Sequence, residues 1–291
     1  MSTKPIVAAT DGSEDSLRAV EWAAEEAVLR GVPLRIVSAA ALLPRMIARQ
    51  GRADYDTVAD ILRHNRDRAL ADAAARATAA APGLLMDTDE LAGQPARAVA
   101  DSGSGALLLV VGSRGAGAFT ALVLGSVSRY AAGHASCPVV VVRDVPPSPH
   151  LHVGVGLGDL GNCASALTFA FEEAALRKAS LTAVHAWEAP QPYIGRAGES
   201  FTAPDLRRAE EEASGQLAGL LDGLRGQYPD VQVSQDVVHG HPARALVGLS
   251  ARADLVVIGR HARDAGLPGP GAVRHAVLNH AHGPVVTVPA A

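Results

Sequence analysis

Apolar and polar positions along this chain follow two rhythms, and the switch between them recurs. Residues 5–10 (PIVAAT) form a short run with β-branched side chains, followed by DGSEDS, a polar turn able to cap a helix. Leu17, Val20, Ala24, Ala27 and Val28 then return at helical spacing. Gly31 and Pro33 end that helix, and PLRIVSA reads as a second strand. A polar segment at 44–55 leads into a long Ala/Arg helix ending near Ala80. LLMDTDEL reads as a third strand, PARAVADS as a short helix and ALLLVV as a fourth strand. A helix from about Ser126 and the strand PVVVV close the unit. Strands separated by helices pair in parallel through right-handed crossovers, and continuous apolar strands call for helices on both faces.

The unit is written twice. QPARAVADSGSGALLLVVGS (94–113) returns as HPARALVGLSARADLVVIGR (241–260). Pro95 corresponds to Pro242, Arg97 to Arg244 and Gly112 to Gly259, at a constant offset of 147 (242 − 95, 244 − 97, 259 − 112). The same offset aligns Ala19 with Ala166 and Ser38 with His185. A period this long means duplicated domains rather than a solenoid. HVGVGL, SLTAVHA, VQVSQDVV, DLVVIG and PVVTV are the second set of strands, and the prolines of DVPPSPH (144–150) make a short, stiff linker. The expected organisation is two α/β domains, 1–145 and 150–291, each a doubly wound open parallel sheet. The order 3-2-1-4-5 makes the first and fourth strands neighbours at the switch point.

Candidate chemistry lies at that point, because ligands of open parallel sheets bind beyond the carboxyl ends of the strands. The fourth strand runs into GSRGAGAFTALVLGS (112–126), whose glycines follow G-x2-G-x9-G-S between a strand and a helix. Gly112 and Gly115 let a ligand approach the backbone, and Gly125 and Ser126 open a helix whose amides and dipole favour an anion. Ser126 and Ser128 offer hydroxyl donors, and Asp11, after the first strand, can accept from an amine or a ribose hydroxyl. Together they describe a phosphate cradle with a nucleoside end. It is not a Walker-type loop, because the only lysines are Lys4 and Lys178.

Composition narrows the alternatives. A formal net charge of −4 argues against nucleic-acid binding and against a basic membrane-surface patch. No apolar run approaches membrane-spanning length, and the start is not patterned as a signal peptide. Cys137 and Cys163 form no C-x-x-C pair, which fits a reduced, cytoplasmic setting. The eleven histidines include His239, His241, His275, His280 and His282, yet none has an i,i+4 partner and no H-E-x-x-H occurs, so no side-chain metal site is expected. TDGSEDS resembles a pyrophosphatase phosphate loop only faintly, lacking its paired glycines, and there is no G-x-S-x-G elbow.

With these motifs the chain resembles a tandem universal stress protein of the ATP-binding type, over nearly all of both halves. The resemblance rests on Gly112, Gly115, Gly125 and Ser126 in the glycine pattern and on ATDGS, which retains Asp11. It implies an adenine-nucleotide alpha-hydrolase-like fold with nucleotide contacts from Thr10, Asp11, Ala39, Val111, Gly112, Gly115, Gly125, Ser126, Val127 and Ser128. It further implies ATP as ligand, with Mg²⁺ carried in by the phosphates, and pairing through the last strands PVVVV and PVVTV. That pairing is within one chain or, in a homodimer, between two. The implied role is a stress-response regulator that binds an adenine nucleotide. No side chain stands out as a general base for water, so any hydrolysis is expected to be slow. A slow nucleotide hydrolase and a nucleotide-free interaction scaffold are the alternatives.

The second copy departs from the pattern. Gly158 stands where Asp11 would repeat, and the adjacent Asp159 is expected to point elsewhere unless its turn is remodelled. Ala262 replaces the second glycine, Gly271 takes the third, and Ala272 and Arg274 replace Ser126 and Ser128. A hydrogen bond to a charged group contributes roughly 1.5–3 kcal/mol. Losing three such groups weakens nucleotide binding by about a thousandfold or more, unless Arg260, Arg263 or Arg274 compensates. One competent site, in the first half, is expected.

Overall fold

Uninterrupted apolar runs become strands buried on both faces. In the computed structural model, which describes residues 4–39, 52–115, 124–145, 148–187, 203–260 and 270–290, the chain divides into units Met1–Asp144 and Val145–Ala291. The first unit holds β1 (Ile6–Ala9), α1 (Glu14–Arg30), β2 (Leu34–Ala39), α2 (Arg52–Ala80), β3 (Met86–Leu91), α3 (Pro95–Ser102), β4 (Leu108–Gly112), α4 (Ser126–His134) and β5 (Val139–Val142). All paired strands are parallel, in the order β3-β2-β1-β4-β5. Every residue of β1, β4 and β5 is buried, whereas β3 is largely exposed. Helix α1 packs on α2, and α3 on α4, as a doubly wound sheet requires. Of the polar segment expected at 44–55, the part up to 51 lies outside the described residues, and from Arg52 the chain is helix α2.

The second unit follows the same plan with β6 (His152–Gly156), α5 (Ala164–Arg177), β7 (Ser180–Trp187), α6 (Ala203–Arg225), β8 (Val233–His239), α7 (Pro242–Ser250), β9 (Leu255–Arg260), α8 (Pro270–His280) and β10 (Val285–Pro289). Its strands are again parallel, in the order β8-β7-β6-β9-β10. Among the described residues, no helix is long and apolar enough to cross a membrane.

Local physics repeats as well. The buried Glu26 pairs with Arg30 at 2.5 Å, and the buried Glu173 pairs with Arg177 at the same offset of 147 (173 − 26, 177 − 30). Helix α1 begins at Ser13, whose hydroxyl accepts from the Ser16 amide at 3.3 Å, and ends at Gly31 in the left-handed region at φ 63°. The corresponding cap of α5 is Lys178 at φ 51°, a conformation that costs a side-chain-bearing residue free energy.

Packing between sheet and helix is conserved by exchange rather than by identity. Ala9 and Val99 of the first unit correspond to Gly156 and Leu246 of the second. A Cβ at Gly156 would lie 2.6 Å from a Leu246 methyl carbon, so the strand gave up volume as the helix gained it.

Candidate functional site

In the first unit a cavity of about 520 Å³ opens at the carboxyl ends of β1, β2 and β4. Thr10, Asp11, Ala39, Val111, Gly112, Gly115, Gly125, Ser126, Val127 and Ser128 all line it. Ala9, Ser16, Pro95, Val99, Arg114 and Leu124 complete the lining. Residues as far apart as 10 and 128 meet because β1 and β4 are neighbours in the sheet.

The turn after β1 is held by hydroxyls. Ser16 donates to the Ser13 carbonyl at 2.8 Å, so at 3.0 Å it accepts from Thr10, whose own oxygen accepts from the Gly12 amide at 3.1 Å. Asp11 Oδ1 accepts from the amide of Ser13 at 3.0 Å and from its hydroxyl at 2.5 Å. Asp11 is exposed, and its Oδ2 lies 2.5 Å from where a Cβ of Gly115 would stand. Gly115 therefore makes room for that carboxylate.

Gly112 has a similar protein reason. A Cβ there would lie 2.7 Å from the carbonyl oxygen of Asp15 and 2.9 Å from the amide nitrogen of Ser16. The first turn of α1 thus needs glycine at 112, whether or not a ligand approaches. Gly125 is different: at φ −59° nothing among the described residues comes closer to its would-be Cβ than 3.6 Å. Among the described residues, no close contact explains why that position lacks a side chain.

The buried Asp15 ties α1 to the segment after β4. It accepts from Ser113 Oγ at 3.1 Å and Arg114 Nε at 2.6 Å, and it pairs with Arg18. Burial alone would raise this carboxyl's pKa. The hydrogen bonds from Arg114 and Ser113, with the charges of Arg114 and Arg18, outweigh burial and hold it below the usual carboxylate range. Arg114 is a structural partner whose own pKa is raised by the hydrogen bond and the charge of Asp15.

Ser128 also changes role. Its buried hydroxyl donates to the Gly112 carbonyl at 2.6 Å, which fixes α4 against the end of β4 and leaves it able only to accept. Ser126 is exposed at the cavity, and the amides of Ser126 and Val127, in the first turn of α4, have no partner among the described residues. The Gly125 amide is engaged by the Ser113 carbonyl at 2.9 Å. Arg129 does not line the cavity.

The second unit has its own cavity, of about 610 Å³, at the equivalent strand ends. Leu157 and Cys163 stand there in place of Thr10 and Ser16. The turn after β6 is indeed remodelled: Asp159 caps a short 3₁₀ turn, Leu160–Asn162, by accepting from the Gly161 amide at 2.9 Å, and it lines the cavity after all. Of the arginines weighed as compensators, Arg274 lines the cavity, Arg260 does not, and Arg263, like Ala262, lies outside the described residues. Burial raises the Cys163 thiol, which donates to the Leu160 carbonyl at 3.2 Å.

The sequence model of the universal stress protein family matches residues 2–143 and again 150–289. The chain belongs to the universal stress protein family. Among its universal stress protein relatives, Rv1996 of Mycobacterium tuberculosis is 34% identical over 300 residues, covering 97% of this chain and 93% of that protein. Rv2005c of the same organism is 33% identical over 291 residues, covering 97% and 95%. The crystal structure of a universal stress protein from Archaeoglobus fulgidus is similar in fold, with a TM-score of 0.70 at 20% identity over 99% of both chains. This tandem universal stress protein thus carries two family domains in one chain.

Sequence reading missed Ser16, Asp15 and Arg114 as parts of the site. A usable signal existed for Ser16, which sits in the first turn of α1 on the face that carries Ala19, Val20 and Ala23 into the core. For Asp15 and Arg114, 99 residues apart, only the tertiary contact tells.

Proposed function

We propose that the first unit binds an adenine nucleotide, ATP, and that its occupancy rather than its turnover carries a stress-response signal. The observation that carries this reading is the convergence of the glycine pattern on one cavity where, among the described residues, nothing comes closer than 3.6 Å to a would-be Cβ of Gly125. The amides of Ser126 and Val127 then receive phosphate oxygens at the positive end of α4. Ser126 Oγ donates to the same group, and Asp11 accepts from the nucleoside. Mg²⁺ would arrive with the phosphates and find an oxygen ligand in Ser126. Among the described residues there is no group of three His, Cys, Asp or Glu side chains to hold a metal independently.

Both cysteines are free and buried, which supports a cytoplasmic setting as part of the same proposal. Association through the last strand of each copy belongs to it too, resting on the β-branched runs PVVVV and PVVTV, and sedimentation of the full chain checks whether two chains join.

Calorimetric titration of ATP into the full chain tests the site. The pair Gly125→Ala and Ser126→Ala is expected to weaken ATP about ten- to hundredfold, the loss of one charge-assisted hydrogen bond plus steric intrusion. The nucleotide-free melting temperature should stay close to that of the native chain, because a Cβ at 125 makes only ordinary contacts, at 3.6 Å or more, with the described residues. Unchanged affinity overturns the assignment, as does a stoichiometry of two equivalent nucleotides per chain.

A further inference from the structure

We propose that the cavity of the second unit is a separate binding site for an uncharged, mostly apolar small molecule. Its floor and walls are built from Leu157, Cys163, Leu246, Ile258 and Val273. At the four hydroxyl positions of the first unit, 10, 16, 126 and 128, stand Leu157, Cys163, Ala272 and Arg274. The exchange removes all four hydroxyls, including that of Ser126, and puts apolar side chains at three of the positions.

The polar groups that remain suit a neutral guest. Asp159 and Arg274 contribute one charge of each sign to the lining. Asp159 is already engaged by the Gly161 amide and by Asn162 Nδ2 at 2.7 Å, so it is not a bare charge. The two charges offset each other, so a polyanion finds neither a net positive lining nor a side-chain hydroxyl among the lining residues, and an uncharged molecule with mostly apolar surface suits these walls better.

Size supports the same reading. Larger side chains line this cavity than the first, with Leu246 for Val99 and Ile258 for Val111, yet its volume is about 610 Å³ against about 520 Å³. The strand retreats to glycine at 156 where the helix brings in Leu246, so volume gained on one wall is returned on the other. A unit kept only for its scaffold gains by filling such a space with its own side chains, because an unfilled apolar lining forfeits dispersion contacts. The volume lies within the range of small-molecule sites with apolar walls and a few polar groups.

Fluorescence titration of the full chain with N-phenyl-1-naphthylamine, an uncharged apolar amine that brightens in apolar surroundings, tests this. Saturable binding of one dye per chain is expected, unchanged by saturating ATP and by the Gly125→Ala, Ser126→Ala pair. Leu157→Asn and, separately, Val273→Trp should each weaken the dye at least tenfold. Should one variant fail to fold, the other and the ATP competition on the native chain decide. A non-saturating rise, displacement by ATP, or equal loss in the first-unit variant overturns the proposal. Because dye and nucleotide are read independently, failure of ATP to bind would remove the proposed function while leaving this site standing.

Discussion

The two cavities occupy the same place on the same fold and offer opposite chemistry. The first is rimmed by Thr10, Ser16, Ser126 and Ser128, the second by Leu157, Cys163, Val273 and Arg274. Sheet order and even a buried Glu–Arg pair are retained between them. What differs is a handful of side chains at the strand ends, where they affect ligand chemistry without disturbing the core. Duplication preserved the scaffold and left the rims free to diverge.

The sharpest way to break the comparison is Gly112→Ala. The colliding atoms are backbone of α1, which cannot swing aside, so a loss of about 3 kcal/mol is expected in urea unfolding, at the upper end for overpacking. A variant as stable as the native chain would show that the first turn of α1 does not press on β4.

Asp15→Asn comes next, at about 2 kcal/mol. The figure is below that of a fully buried pair because Arg114 keeps 34% of its side chain exposed. Since the folded pKa of Asp15 lies below its unfolded value, this stability is present above about pH 4 and disappears as pH falls through the folded value. The deficit of the variant should therefore be constant near neutrality and shrink in acid. In the second unit the corresponding residue is Asn162 (15 + 147), so that unit has no such acid-sensitive clamp to lose. A deficit that persists undiminished at low pH would separate Asp15 from the clamp.

Gly156→Ala is expected to cost about 1–2 kcal/mol, since its Cβ meets the movable end of Leu246. Combining it with Leu246→Val, which recreates the Ala9 and Val99 arrangement, should recover most of the loss. A double-mutant cycle without coupling would refute the volume exchange. Smallest is Lys178→Gly, expected to stabilise by about 1 kcal/mol through relief of the left-handed cap that Gly31 occupies freely in the first unit. A melting curve that does not move upward would mean that Lys178 earns its place through other contacts.

Much of this molecule is written in local pattern. Apolar runs such as LLLVV can only be buried strands, DGSEDS supplies Ser13 as a helix cap, and the offset of 147 follows from residue identity alone. Strand order and the membership of the first cavity follow from the α/β alternation and the glycine spacing with its family resemblance. Reasons for individual residues are another matter. Gly112 reads as an opening for a ligand, yet its Cβ would strike α1; Ser128 reads as a donor to phosphate, yet it donates to Gly112. Arg114 holds a carboxylate 99 positions away, a contact with no trace in local pattern, and Asp159 reads as displaced, yet a 3₁₀ turn returns it to the cavity. Periodicity and capping depend on neighbours within a turn or two, so the chain alone determines them. Which atoms fill the space beside a glycine or satisfy a hydroxyl depends on where separate elements meet, and only the packed structure decides that.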